Sequence, residues 1–215
     1  MLKAALGFSL LEILVAMASG LVVLATVLSL FISLLSTANT TLQLSRLNQE
    51  VQSISDLLSR DIQRAGYHPA AVTEVALNSV ASTAKHLVFS PSEDLYPAAN
   101  AAHCIRVKFW DADAPSGEQA VVRVYHFQAS TGVLRVHRHH DVQSVEPLNL
   151  LCGSGNQLIS SKEIRVQQLS FRLTPNSSAQ GARSIELVMH AAYVARPDLA
   201  QTLHKQVLLR NQGGG

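Results

Sequence analysis

Residues 1–35 read MLKAALGFSLLEILVAMASGLVVLATVLSLFISLL, and from residue 8 onward the stretch is one apolar run. Between Ile13 and Ser45 there is no Asp, Glu, Lys or Arg, and within residues 1–45 only Lys3 and Glu12 are charged. A helix needs roughly 20 apolar residues to cross a bilayer core, and residues 8–35 exceed that. A cleaved secretory signal has a shorter apolar core, roughly 7–15 residues, ending at a small-residue cleavage site. This run is longer and flows into a further helical pattern, so it reads as a retained membrane helix. Lys3, on its short side, assigns the N-terminus to the cytoplasm.

The rest of the chain is ordinary by comparison. Charged residues make up 15% of the whole, against about 25% for a typical globular chain, and most of that deficit belongs to the N-terminal run. The apolar content and the small net charge of +2 exclude a disordered chain. One long apolar segment excludes a polytopic membrane protein. The charge is too small, and its basic residues too interspersed with acids, to argue for nucleic acid or anionic lipid as a partner.

Glu12 is the anomaly within the apolar run. A carboxylate at the centre of a membrane helix costs about 2.5–3.5 kcal/mol on insertion scales. Near the segment's end, Glu12 either snorkels at the interface or has a specific cationic partner. Its surroundings, K-A-A-L-G-F-S-L-L-E, resemble the type IV prepilin signature: a short basic leader, Gly7, Phe8, and Glu12 four residues on. The resemblance implies cleavage by prepilin peptidase between Gly7 and Phe8 and N-methylation of Phe8. It also gives Glu12 a role in filament assembly, pairing with the α-amino group of a neighbouring subunit. In a low-dielectric bundle such a pair separates docked from undocked subunits, because an unpaired charge there is penalised. No proline interrupts residues 8–35 and Gly20 is the one strong breaker, so a straight helix is expected.

Beyond residue 41 the apolar residues become periodic: Leu44, Leu47, Val51, Ile54, Leu58, Ile62 and Ala65. Spacings of three and four mark one face of an amphipathic helix. The opposite face carries Arg46, Glu50, Asp56 and Arg60, which pair at i, i+4 as Asp56–Arg60 and Arg46–Glu50. Gly66 supplies the C-terminal cap and Pro69 the stop. One continuous helix over 8–65 would run about 87 Å. The stretch LSRDIQRAGYHP, residues 58–69, resembles the helix end of PilW-type minor pilins. J-type minor pseudopilins of type II secretion share the R-D pattern without A-G-Y. Arg60 and Asp61 are read as structural, with contact to a neighbouring subunit as the alternative.

From residue 86 the period switches to two. Strands are expected over 86–90, 105–110, 121–128, 133–138, 163–173, 184–195 and 205–210. Ala129-Ser130-Thr131-Gly132 reads as a hairpin loop, and a phase shift at Gln167-Gln168 as a β-bulge. Residues 111–119, 174–183 and 196–204 read as loops, and 70–103 carry little pattern. The fold class is α+β, pilin-like: a long N-terminal helix with an apolar first half, packed on an antiparallel sheet. The division is a leader over 1–7, a membrane or filament-core helix over 8–36, an amphipathic half over 37–66 and a periplasmic β-rich domain over 67–215.

Cys104 and Cys152 are the two cysteines, and their separation matches no zinc or CxxC motif. A periplasmic domain would oxidise them to a disulfide; two buried thiols are the alternative. His137, His139, His140 and Asp141 form the densest polar cluster, read as an exposed strand end, with a metal site as the alternative. Ser154, between two glycines, reads as a turn. Arg106, Lys108, Arg123, Arg135, Arg138 and Arg172 read as a solvated sheet face. No nucleophile, zinc or phosphate-loop motif is present. The resemblance implies a minor pilin that primes assembly or enters the filament. Its expected partners are prepilin peptidase, other minor pilins, the major pilin, the inner membrane and its assembly platform. No enzymatic activity, cofactor, metal or nucleic acid is expected. A type II secretion pseudopilin and a signal-anchored periplasmic enzyme are the competing readings.

Overall fold

The computed structural model describes residues 9–70, 87–98, 101–140, 146–159, 162–174 and 183–211. The chain divides into two units, residues 1–45 and 46–215. Helix α1 (Leu10–Arg64) is 55 residues long and contributes to both.

In the first unit α1 runs without a break through Gly20, as expected of a segment with no proline. Its apolar side chains from Leu10 to Leu35 are exposed, and the helix is long and apolar enough to cross a membrane. Ser19 donates to Ala16 O, Thr26 to Val23 O and Thr37 to Ser33 O, so these three hydroxyls are satisfied within the helix, as a lipid environment requires.

The second unit opens with the amphipathic half of α1. Leu47, Val51, Ile54, Leu58 and Ile62 are buried, and each side chain of that size removed from water stabilises by about 1.5–3 kcal/mol. Two antiparallel sheets follow. The first is formed by β1 (Leu95–Tyr96), β2 (Cys104–Trp110), β3 (Ala120–Gln128), β4 (Val133–His139) and β5 (Asn156–Gln157), in that spatial order. Short helices α2 (Pro91–Asp94) and α3 (Leu148–Leu151) flank β1 and β5 in sequence. The second sheet is β6 (Ile164–Thr174), β7 (Ser184–Tyr193) and β8 (Ala200–Leu208). Paired backbone bonds between Ala102 and Phe171 join the two sheets.

The β3–β4 hairpin turns on Gly132 at φ 67°, with Gly132 N–H donating to Gln128 O. The β6–β7 register slips between Val166 and Gln168, at the bulge the sequence phase indicated. Two expectations fail. Residues 87–90 are not a strand: Leu87 and Phe89 fill the core, and Pro91, whose fixed φ suits a first helical position, starts α2. The expected loop over 196–204 holds the first half of β8, which begins at Ala200 and ends at Leu208. On the inward face of β8, Leu203 and Val207 alternate with Gln201 and Lys205. Lys205 forms an exposed ion pair with Asp56 of α1, Nζ 2.7 Å from Oδ1. Over the missed residues 200–204 the inward side holds one buried apolar residue, Leu203, beside Gln201, too little to show a period.

Candidate assembly surface and its anchor

The first unit presents an apolar helix surface with one carboxylate in it. Glu12 lies in the first turn of α1 and is exposed, and its N–H donates to Ser9 O. A negative side chain there complements the helix dipole. Gly7 and Phe8 lie outside the described residues.

In the second unit, the RDIQRAGY stretch holds the end of α1 to the first sheet. Asp61 is 2% exposed. Arg123 Nη1 donates to both its oxygens, at 2.9 and 2.7 Å, and the Tyr125 hydroxyl donates to Oδ2. Burial, and then the negative Asp61 beside it, push the Tyr125 hydroxyl well above its usual range, so it remains a donor at neutral pH. Burial works against the Arg123 charge, but its bond to Asp61 outweighs that and its pKa is raised. Ile62 and Ala65 enter the core. The Arg64 and Arg123 guanidiniums both lie near the Phe109 ring, 5.3 and 5.4 Å from its centroid. Gly66, at φ 77°, donates its N–H to Lys108 O, and Tyr67 O accepts from Trp110 N–H. The motif therefore does three things in sequence: an ion pair, a left-handed turn and a junction with β2. Asp61 is structural.

The same sheet has a second buried carboxylate that the sequence did not disclose. Period two puts Ile105, Val107 and Phe109 on one face of β2, and Cys104, Arg106 and Lys108 on the other. Asp94 of α2 is fully buried against this second face. Arg106 Nε meets Oδ1 at 2.6 Å, Lys108 Nζ meets Oδ2 at 3.0 Å, and Ser90 N–H donates to Oδ2. Arg106 also donates to the carbonyls of Glu93 and Glu146. Three of the six basic residues read as solvated are thus held in place: Arg106 and Lys108 are buried on Asp94, and Arg123 is bound to Asp61. The covering segments are far away in sequence, so alternation alone could not show that the polar face is covered. Asp56 and Arg46 also pair differently from expectation, with Lys205 and with Glu163, because tertiary partners stand closer than those on the helix.

A family described as prepilin peptidase-dependent protein B, PpdB, matches residues 40–209. That range takes in the amphipathic half of α1 and both sheets. The chain belongs to the PpdB family. It is a prepilin-type, pilin-like protein, and the match begins well after the signature at residues 7–12, so the two signals come from separate stretches. No curated protein and no solved structure matches the chain.

In this PpdB-family chain Cys104 and Cys152 form a disulfide, Cα to Cα 6.1 Å. The bridge lies beside Val122, Val124, Leu148 and Leu151 and fastens the α3 segment over the outer face of the sheet. Closing a loop of 48 residues stabilises by about 4 kcal/mol in the chain-entropy account. His137 and His139 stand on β4 with ring centroids 5.6 Å apart, while His140 Nδ1 bonds Glu118 O. Asp141 lies outside the described residues. Ser154, between Gly153 and Gly155 at positive φ, donates to Leu151 O and closes a turn.

Proposed function

We propose that this chain is a minor pilin of the PilW type, a structural and assembly-priming subunit of a type IV pilus. Prepilin peptidase cuts between Gly7 and Phe8, the new N-terminal Phe8 is methylated, and the helix is held in the inner membrane with the sheets in the periplasm. The subunit then joins other minor pilins and the major pilin through its apolar helix, with Glu12 paired to a neighbour's α-amino group. The observation that carries this reading is the G-F-S-L-L-E signature directly ahead of an uncharged helix, in a chain of the PpdB family. The role needs helix packing and one charge pair. It calls on no catalytic group and no cofactor.

The test is the mass of the mature N-terminus together with the phenotype of a deletion. Methylated Phe8 and reduced surface pili, with major pilin still synthesised, support the proposal. An intact Met1, or cleavage after Ala38, overturns it. Normal piliation with loss of protein export moves the same processed subunit to a type II secretion pseudopilus.

A further inference from the structure

A cleft of about 370 Å³ in the second unit is lined by four arginines, Arg60, Arg64, Arg123 and Arg210, and by one acid, Asp61. Asp61 is already held by Arg123 Nη1 and Tyr125. Arg60 Nε donates to its own helix at Asp56 O and Arg64 lies over the Phe109 ring, but Arg60, Arg64 and Arg210 form no salt bridge among the described residues. Arg60, Arg64 and Arg210 are exposed. Like charges gathered in one cleft repel, and a partner of opposite sign relieves that repulsion.

We propose that this cleft receives a pair of carboxylates from a neighbouring filament subunit. The inference rests on the pilin reading above. A guanidinium offers a planar fork that fits a carboxylate at two points, and the same cleft already holds one carboxylate, Asp61, whose two oxygens both accept from Arg123 Nη1. Arg60 and Arg64 are one turn apart on α1, where Cβ atoms stand about 5–6 Å from each other. Two acids one turn apart on a packing helix match that spacing. Cations strung along a helix turn suit two separated carboxylates better than one compact phosphate. Within the RDIQRAGY stretch, the two neighbouring residues thus divide the work: Asp61 faces its own sheet, and Arg60 faces the partner.

The experiment places a photo-reactive benzophenone side chain at Leu57, which lines the cleft, in the full-length chain in cells. The adduct is sequenced. The expected adduct is a peptide of another filament subunit with two carboxylates within four residues. Its yield falls about tenfold or more in Arg60→Glu/Arg64→Glu, from the loss of charge-assisted hydrogen bonds, and is largely kept in Arg60→Lys/Arg64→Lys. If the charge reversal disturbs folding by circular dichroism, Arg60→Gln/Arg64→Gln is read the same way. A lipid adduct, an adduct on a neutral or basic peptide, a yield insensitive to these variants, or no adduct overturns the proposal. The mature N-terminus is weighed in the same sample. A start other than Phe8 overturns the pilin reading, while a lost or misplaced adduct on a correctly processed chain overturns the cleft alone.

Discussion

Two buried carboxylates, Asp61 and Asp94, stand inside a domain that reads from its sequence as an ordinary half-polar sheet. Each is paired and hydrogen-bonded, which is the condition under which a buried charge is tolerated. Removing one partner is costly because the others remain buried. Asp94→Asn leaves Arg106 and Lys108, 5% and 8% exposed, facing a neutral amide. The expected loss is about 3–5 kcal/mol, read by denaturant unfolding of the detergent-solubilised chain. An undiminished midpoint would mean the cations find water or another acceptor. His126 offers a test by pH. Its Nδ1 is buried without a hydrogen-bond partner among the described residues. Burial first, then the nearby His103 and Arg135, hold its pKa below the ordinary 6.5. Between the folded and unfolded values the unfolded chain binds more protons, so stability falls as pH falls. The contribution is whole above pH 6.5 and is lost as pH drops through the unfolded value toward the lower folded one. Melting temperature followed from pH 7 to pH 5 should fall further for the wild-type chain than for His126→Gln; parallel curves would exclude His126 as the source.

The end of α1 shows what the sequence could and could not disclose about an element. Gly66 was legible as a cap because a helical run ended there. The reason for glycine at that place was not, since it involves a residue 145 positions later. Asn211 packs directly against Gly66: a Cβ on residue 66 would come 2.2 Å from Asn211 O, while Asn211 Nδ2 donates to Ala65 O at 3.3 Å. Gly66→Ala therefore meets both a left-handed backbone and a backbone clash. It is expected to cost at least about 2 kcal/mol. Gly117→Ala, at φ 89° with open space around it, meets the backbone strain alone and should cost less. Thermal melts of the two variants side by side give the comparison, and equal losses would remove the Asn211 contact from the account. The apolar stripe of α1, the β3–β4 hairpin and the bulge in β6 were legible because each has a period or a turn residue of its own. The first half of β8 was not, because its inward positions over 200–204 are Gln201 and Leu203, too few apolar residues to show a period. The covered face of β2 was not, because its lids, α2 and α3, lie before and after it in the chain and are too short to show a period.

The molecule joins two kinds of surface in one chain. The first unit exposes apolar side chains along a helix with no charge from Ile13 to Ser45. The second buries most of its apolar side chains and, among the described residues, four charged ones, Asp61, Asp94, Arg106 and Lys108. A protein whose apolar helix is exposed throughout is finished only by lipid or by other helices. On the proposed pilin role, the charge at Glu12 distinguishes the two environments. In lipid a carboxylate costs up to about 2.5–3.5 kcal/mol even on permissive scales, and in a helix bundle with a cationic partner it becomes an attraction. Glu12→Gln removes both terms. Membrane retention of the variant should be equal to or better than that of the wild-type chain, and removal of the leader should be unchanged. Its recovery in sheared filaments, relative to the membrane fraction, should fall by about tenfold or more, the scale of one lost buried charge pair. Immunoblots of the two fractions measure the ratio. Equal recovery would show that Glu12 is an interfacial side chain with no partner in the filament, and Glu12→Lys would then enter filaments as poorly or as well as its membrane insertion alone dictates.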